Sequence, residues 1–128
     1  MRYVACLGIG LFVGLLCALM AIGLMRPRDS YPRAMMNVMK HTLGSARTAA
    51  VDGSCTGNEP RLRVLGLLAA DLEPTFLSGV GDERVFARYA GNLRTRIAEA
   101  AAADACPAQA AALTAVENAC EDCHRDYR

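Results

Sequence analysis

Near its end the chain reads Cys120-Glu121-Asp122-Cys123-His124, two thiols and an imidazole at positions i, i+3 and i+4. On a helix those positions share one face. Two thiols so spaced can bond covalently to the two vinyl groups of a haem, and the histidine that follows can ligate the iron. C-x-x-C-H is the attachment signature of c-type haem. Competing chemistries need more than this sequence offers. Structural zinc takes about four ligands, yet the only other histidine is His41, and Cys55 and Cys106 fall in loops. A thioredoxin-like pair expects βαβ surroundings, and no stretch alternates as a strand would. The motif therefore implies one covalent haem c on Cys120 and Cys123, with His124 as iron ligand.

Chain ends usually fray, so the upstream elements must hold this site. A chain of 128 residues suits one folded domain. The net charge of +1 and the absence of Trp give no basic field and no stacking platform for nucleic acid. From Tyr3 to Met25 there is no charged residue. That run exceeds the ~20 apolar residues of a membrane-spanning helix, and the roughly 7–15 of a signal-peptide core. The expectation is a transmembrane anchor over residues 1–26, a linker over 27–30 and a folded domain over 31–128. A long signal peptide cut near Ala21-Ile22-Gly23 is the alternative. Cys6 and Cys17 lie within the apolar run.

Within the domain, helical periodicity recurs four times. Ser30 and Pro32 suit the start of a helix that runs to about Val51, with Met36, Met39, Leu43, Ala46 and Ala50 inward. The stretch DGSCTGNEP reads as a loop. A second helix follows Pro60, carries Leu62, Leu65, Leu68 and Leu72, and breaks at Pro74 and SGVGDE. A third, capped by Asp82, turns Val85, Phe86, Tyr89, Leu93 and Ile97 inward. Asp104 to Pro107 is the next break. The fourth carries Ala111, Leu113, Val116, Ala119 and Cys120. Four such helices with short loops predict an all-α fold, an antiparallel up-down four-helix bundle preceded by one transmembrane helix.

The ending ENACEDCHRDYR resembles the C-terminus of the cytochrome c′ family, four-helix bundles with C-x-x-C-H near the end of the last helix, then Tyr or Phe and Arg; Tyr127 and Arg128 fall on those positions. YPRAMMNVMKHTLG is similar to the family's first helix, and LAADLEPTFLSG to the end of its second. The chain departs from the family in a short link between helices two and three and in the added apolar N-terminal segment.

The resemblance implies a haem inside the bundle, with its sixth iron position served by the early turns of helix one. Met35, Met36, Met39 and His41 are there. Counting from Arg33 points to Asn37, and counting from Leu43-Gly44 points to Met36. Met39-Lys40 matches a Met-Lys pair of the low-spin branch. Met36 is the first candidate ligand and Met39 the second. His41 lies off the apolar face and reads as a surface residue. Arg33, at the haem end, suits a propionate through its bidentate fork. By resemblance Arg128 lies near the proximal imidazole. Attachment of this haem occurs outside the cytoplasm in the family, which implies a single-pass protein of the bacterial inner membrane with its haem domain in the periplasm. Arg26 and Arg28 on that outer side run against the positive-inside tendency. In an up-down bundle Cys55 and Cys106 lie in loops at one end, and an oxidising compartment favours a Cys55–Cys106 disulfide.

The sequence carries no paired carboxylates, nucleotide loop or Ser/His arrangement of a catalytic enzyme. The expected role is electron transfer with a membrane-embedded redox complex or quinol-linked donor, with room for a homodimer. The alternative is a five-coordinate haem module that binds NO or CO.

Overall fold

The computed structural model describes residues 2–25, 30–77 and 83–127, and these are helical with no strand. The chain divides into two compact units, Met1–Ser30 and Tyr31–Arg128. Residues 27–29 of the expected linker, and Asp82 as a helix cap, lie outside the described residues.

The first unit holds helix α1 (Arg2–Met25). Its described side chains, Tyr3, Leu11, Phe12, Leu15 and Leu19 among them, are exposed. The expected membrane anchor over residues 1–26 is not supported. No helix is long and apolar enough to cross a membrane among the described residues. The single-pass inner-membrane location expected from that anchor is withdrawn with it.

The second unit is built from α2 (Ser30–Val51), α3 (Glu59–Ala70), the short α4 (Leu72–Phe76), α5 (Glu83–Ala101) and α6 (Cys106–Asp126). Pro32, Pro60 and Pro107 each sit in a first turn, where a missing N–H costs nothing. α2 ends where Gly53 takes φ +74°, and the Ser54 N–H reaches back to the Ala49 carbonyl at 2.8 Å. Only glycine enters that left-handed region freely. The break expected at Pro74 comes earlier, at Asp71, whose N–H is shared between the carbonyls of Leu67 and Leu68. Pro74 lies in the first turn of α4, a position that tolerates it.

Neighbouring helices run in opposite directions. Tyr31 at the start of α2 donates to Asp71 at the end of α3, 2.7 Å apart. Near the other end of α2, the Ala46 carbonyl accepts from Asn58, just before α3. Tyr89, early in α5, meets Asp126 at the end of α6, and Ala100, late in α5, meets Gln109 at the start of α6. α5 packs most closely on α6 and next on α3. Arg47 of α2 pairs with Glu117 of α6 at 2.5 Å.

One core joins the four long helices. Met35, Met39, Leu43 and Ala46 come from α2, Leu62, Leu65 and Ala69 from α3, Phe86, Leu93 and Ile97 from α5, and Leu113, Val116 and Ala119 from α6. Ala46, Ala69 and Ala100 are fully buried, so small side chains mark where these helices enclose the core most tightly. The expected inward faces hold with shifts. Met35 is buried while Met36 is half-buried, Ala69 replaces Leu68, and Ala111 faces solvent.

Candidate functional site

The C-x-x-C-H residues occupy the last two turns of α6. At about 100° per residue, Cys123 lies about 20° from the direction of Val116, the centre of the buried face, Cys120 about 40° and His124 about 80°. The structure agrees. Cys120 and Cys123 are half-buried and pack against the core, while His124 is exposed at its edge. Both thiols are free. Burial is the main force that pushes the Cys120 thiol up to about 11, with Cys123, Glu117 and Glu121 adding to it. Burial also raises Cys123, and Asp126 adds to that. Both groups are therefore neutral thiols near pH 7, the form that adds S–H across a vinyl group and a poor form for binding zinc or for disulfide exchange. Among the described residues no three His, Cys, Asp or Glu side chains converge as a metal site would require. The residues present fit a haem attached by its edge: two core-facing thiols a turn apart, apolar surroundings, and an imidazole on the next position.

What lies across from His124 follows from the seam between α2 and α6. Arg47 and Glu117 define that seam. Met36 is eleven residues before Arg47 and so within about 20° of it around α2. His124 is seven residues after Glu117 and within about 20° of it around α6. Because the helices are antiparallel, both displacements lead toward the same end, and the axial levels of the two residues differ by about 6 Å. Ideal helix geometry thus puts Met36 and His124 toward the same end of the domain, with Met36 half-buried against the core. Met39 and Met35 are buried in the core at 6% and 3% exposure. Asn37 and His41 are exposed, and His41 borders a shallow groove on the outer face of α2 with Lys40, Gly44 and Thr48. Arg33 is exposed on α2, and Arg128 lies outside the described residues.

At the opposite end Cys55 and Cys106 form the expected disulfide, with Cα atoms 5.5 Å apart. Beneath it is a polar cluster that periodicity alone did not reveal. Asn58 is fully buried, and its amide donates to the Ala46 carbonyl and to Gln109. Its oxygen accepts from Arg61 at 3.1 Å.

A second unforeseen group surrounds the end of α6. The Tyr89 hydroxyl donates to Asp126 at 2.5 Å, a bond that raises the phenol pKa above its ordinary value, with burial and the carboxylate charge acting in the same direction. Tyr127 meets Phe86 and Tyr89 edge-on, with ring centroids 5.4 and 6.1 Å apart. The sequence signal was the pairing of Phe86 and Tyr89 three residues apart in helix three, which read only as core.

Comparison of the chain with protein-family models, curated proteins and solved structures finds no match.

Proposed function

We propose that residues 31–128 form a c-type monohaem protein of the cytochrome c′ kind that carries electrons. One observation carries this reading: Cys120 and Cys123 are free, neutral, core-facing thiols one helical turn apart, directly followed by His124. A haem bound there supplies a one-electron iron couple, tuned by its axial ligands and by burial. Cys120 and Cys123 each contribute a thioether, formed by addition of the S–H across a vinyl group. That tethers the cofactor to the one helix that also offers the imidazole of His124. Met36 is the favoured sixth ligand, because it is half-buried toward the same end as His124 while Met39 is buried in the core. A thioether ligand excludes small gases and raises the potential, which suits a carrier. Arg33 remains the candidate for a propionate, and Arg128 for the proximal side. The Cys55–Cys106 bridge fits an oxidising compartment.

The test is the intact mass and visible spectrum of the full chain from a host competent in haem attachment. A mass one haem above the chain, with a low-spin ferrous spectrum unchanged by carbon monoxide, is the expected result. The bare chain mass would overturn the proposal. A haem-loaded protein whose ferrous spectrum shifts with carbon monoxide would replace the carrier with the gas-binding reading.

A further inference from the structure

The proposed attachment site depends on the last two turns of a helix near the end of the chain, where backbone order is ordinarily weakest. Those turns are held from outside α6. Phe86, buried in the first turn of α5, receives the edge of Tyr127 at 5.4 Å and is backed by Phe76 at 5.9 Å. Tyr89, one turn later, does two things at once: its ring meets Tyr127 at 6.1 Å, and its hydroxyl donates to the Asp126 carboxylate at 2.5 Å. The Tyr127 N–H closes the last turn by donating to the Cys123 carbonyl at 2.9 Å. The contacts therefore form a chain from α5 through residues 126 and 127 to the backbone of Cys123. By contrast, the ion pair between Arg125 and Asp122, 3.1 Å, stays within α6.

We propose that Phe86 and Tyr89 are positioning residues, which clamp Asp126 and Tyr127 and thereby fix the turn that carries Cys123 and His124. They act through residues 126 and 127 and the backbone of α6. This rests on the haem reading for its purpose, but the clamp can be measured with or without haem. Ring contacts in edge-on geometry and a hydrogen bond to a charged group both belong to the stronger non-covalent contacts of a surface-proximal site.

The experiment is hydrogen exchange by mass spectrometry on the full chain, made with and without haem attachment, for wild type, Tyr89→Phe, Phe86→Ala, Asp126→Ala and Asp126→Asn. Tyr89→Phe keeps the ring and removes only the hydroxyl. It is expected to speed exchange several-fold in the peptide covering 123–127, with no change in peptides around Asn58 and Gln109. Asp126→Ala should match it, Asp126→Asn should retain most of the protection, and Tyr89→Phe with Asp126→Ala should be no worse than either alone. In haem-loaded protein Tyr89→Phe should also shift the reduction midpoint, a readout that loss of stability elsewhere does not move. Unchanged exchange at 123–127 in both Tyr89→Phe and Phe86→Ala overturns the clamp, as does an increase spread evenly over the chain. Local loosening in a chain that never acquires haem upholds the clamp and overturns the haem reading instead.

Discussion

The side-chain amide of Asn58 donates to the Gln109 oxygen at 2.9 Å, and both residues are buried where the loop before α3 meets the start of α6. The same Asn58 amide donates to the Ala46 carbonyl at 2.9 Å, and Gln109 reaches the Ala100 carbonyl at 3.4 Å. With Arg61 on the Asn58 oxygen, this one cluster touches α2, α3, α5 and α6. Replacement of Asn58 by Ala leaves the buried Gln109 oxygen without this donor and removes the side-chain bond to the Ala46 carbonyl. The expected cost is about 2–4 kcal/mol of folding stability. Chemical denaturation measures it, and the double variant Asn58→Ala with Gln109→Ala should lose less than the sum of the single losses.

The Cys55–Cys106 bridge closes a long loop, its cysteines 51 positions apart. Chain-entropy arguments give roughly 4 kcal/mol for a loop of that size. For a domain of ~100 residues this corresponds to a drop in Tm on the order of 20 °C. Thermal melts with and without a reducing agent are the check. Thioether-bound haem should survive that reduction, so its absorbance reports on the bundle while the bridge is open.

Cys120 links pH to stability in the haem-free chain. Its pKa rises from 9.0 in the unfolded chain to about 11 in the fold, chiefly through burial. Between those values the folded state binds more protons than the unfolded one, so stability must fall as pH rises. The contribution is whole below pH 9 and is lost on the way to pH 11. Denaturation midpoints across that window should decline in haem-free protein. The decline should be smaller in haem-loaded protein, where a thioether has no proton to lose. An identical decline in both forms would count against attachment at Cys120.

Met36 and Met39 separate cleanly by substitution. Met39→Ala removes a side chain at 6% exposure from the core and should cost about 2–5 kcal/mol, with little change in the haem spectrum. Met36→Ala removes a half-buried side chain and should cost less stability, yet should turn a low-spin spectrum into one that responds to carbon monoxide. The reverse pattern would assign the ligand to Met39.

Much of the domain was legible in advance because its signals are local. Ser30 to Val51 reads as a helix from its three- and four-residue apolar steps, and Cys106 to Asp126 does so from its proline start and alanine content. The disulfide followed from the order of elements together with an oxidising compartment, since the first and third loops of an up-down bundle share an end. Less legible was the choice between neighbours. Met35 and Met36 are equally apolar, and periodicity admits either; the packed bundle buries the first and leaves the second half-covered. Pro74 looked like a helix breaker, but the chain bends at Asp71 and uses the proline to begin α4.

By itself, then, the sequence determined the four long helices of the domain, the C-x-x-C-H spacing near its end and the pair of cysteines able to bridge, because each depends on residues close in sequence or on a simple order of elements. The uncharged run of α1 was not enough to establish a membrane span, since among the described residues no helix is long and apolar enough to cross a membrane. Only the tertiary structure decided that Asn58 joins four helices, that Tyr89 holds Asp126, and that Met35 and Met39 are buried while Met36 is half-buried. These depend on how helices distant in sequence are rotated against each other. A rotation of a few tens of degrees moves a side chain from core to edge without altering any local pattern.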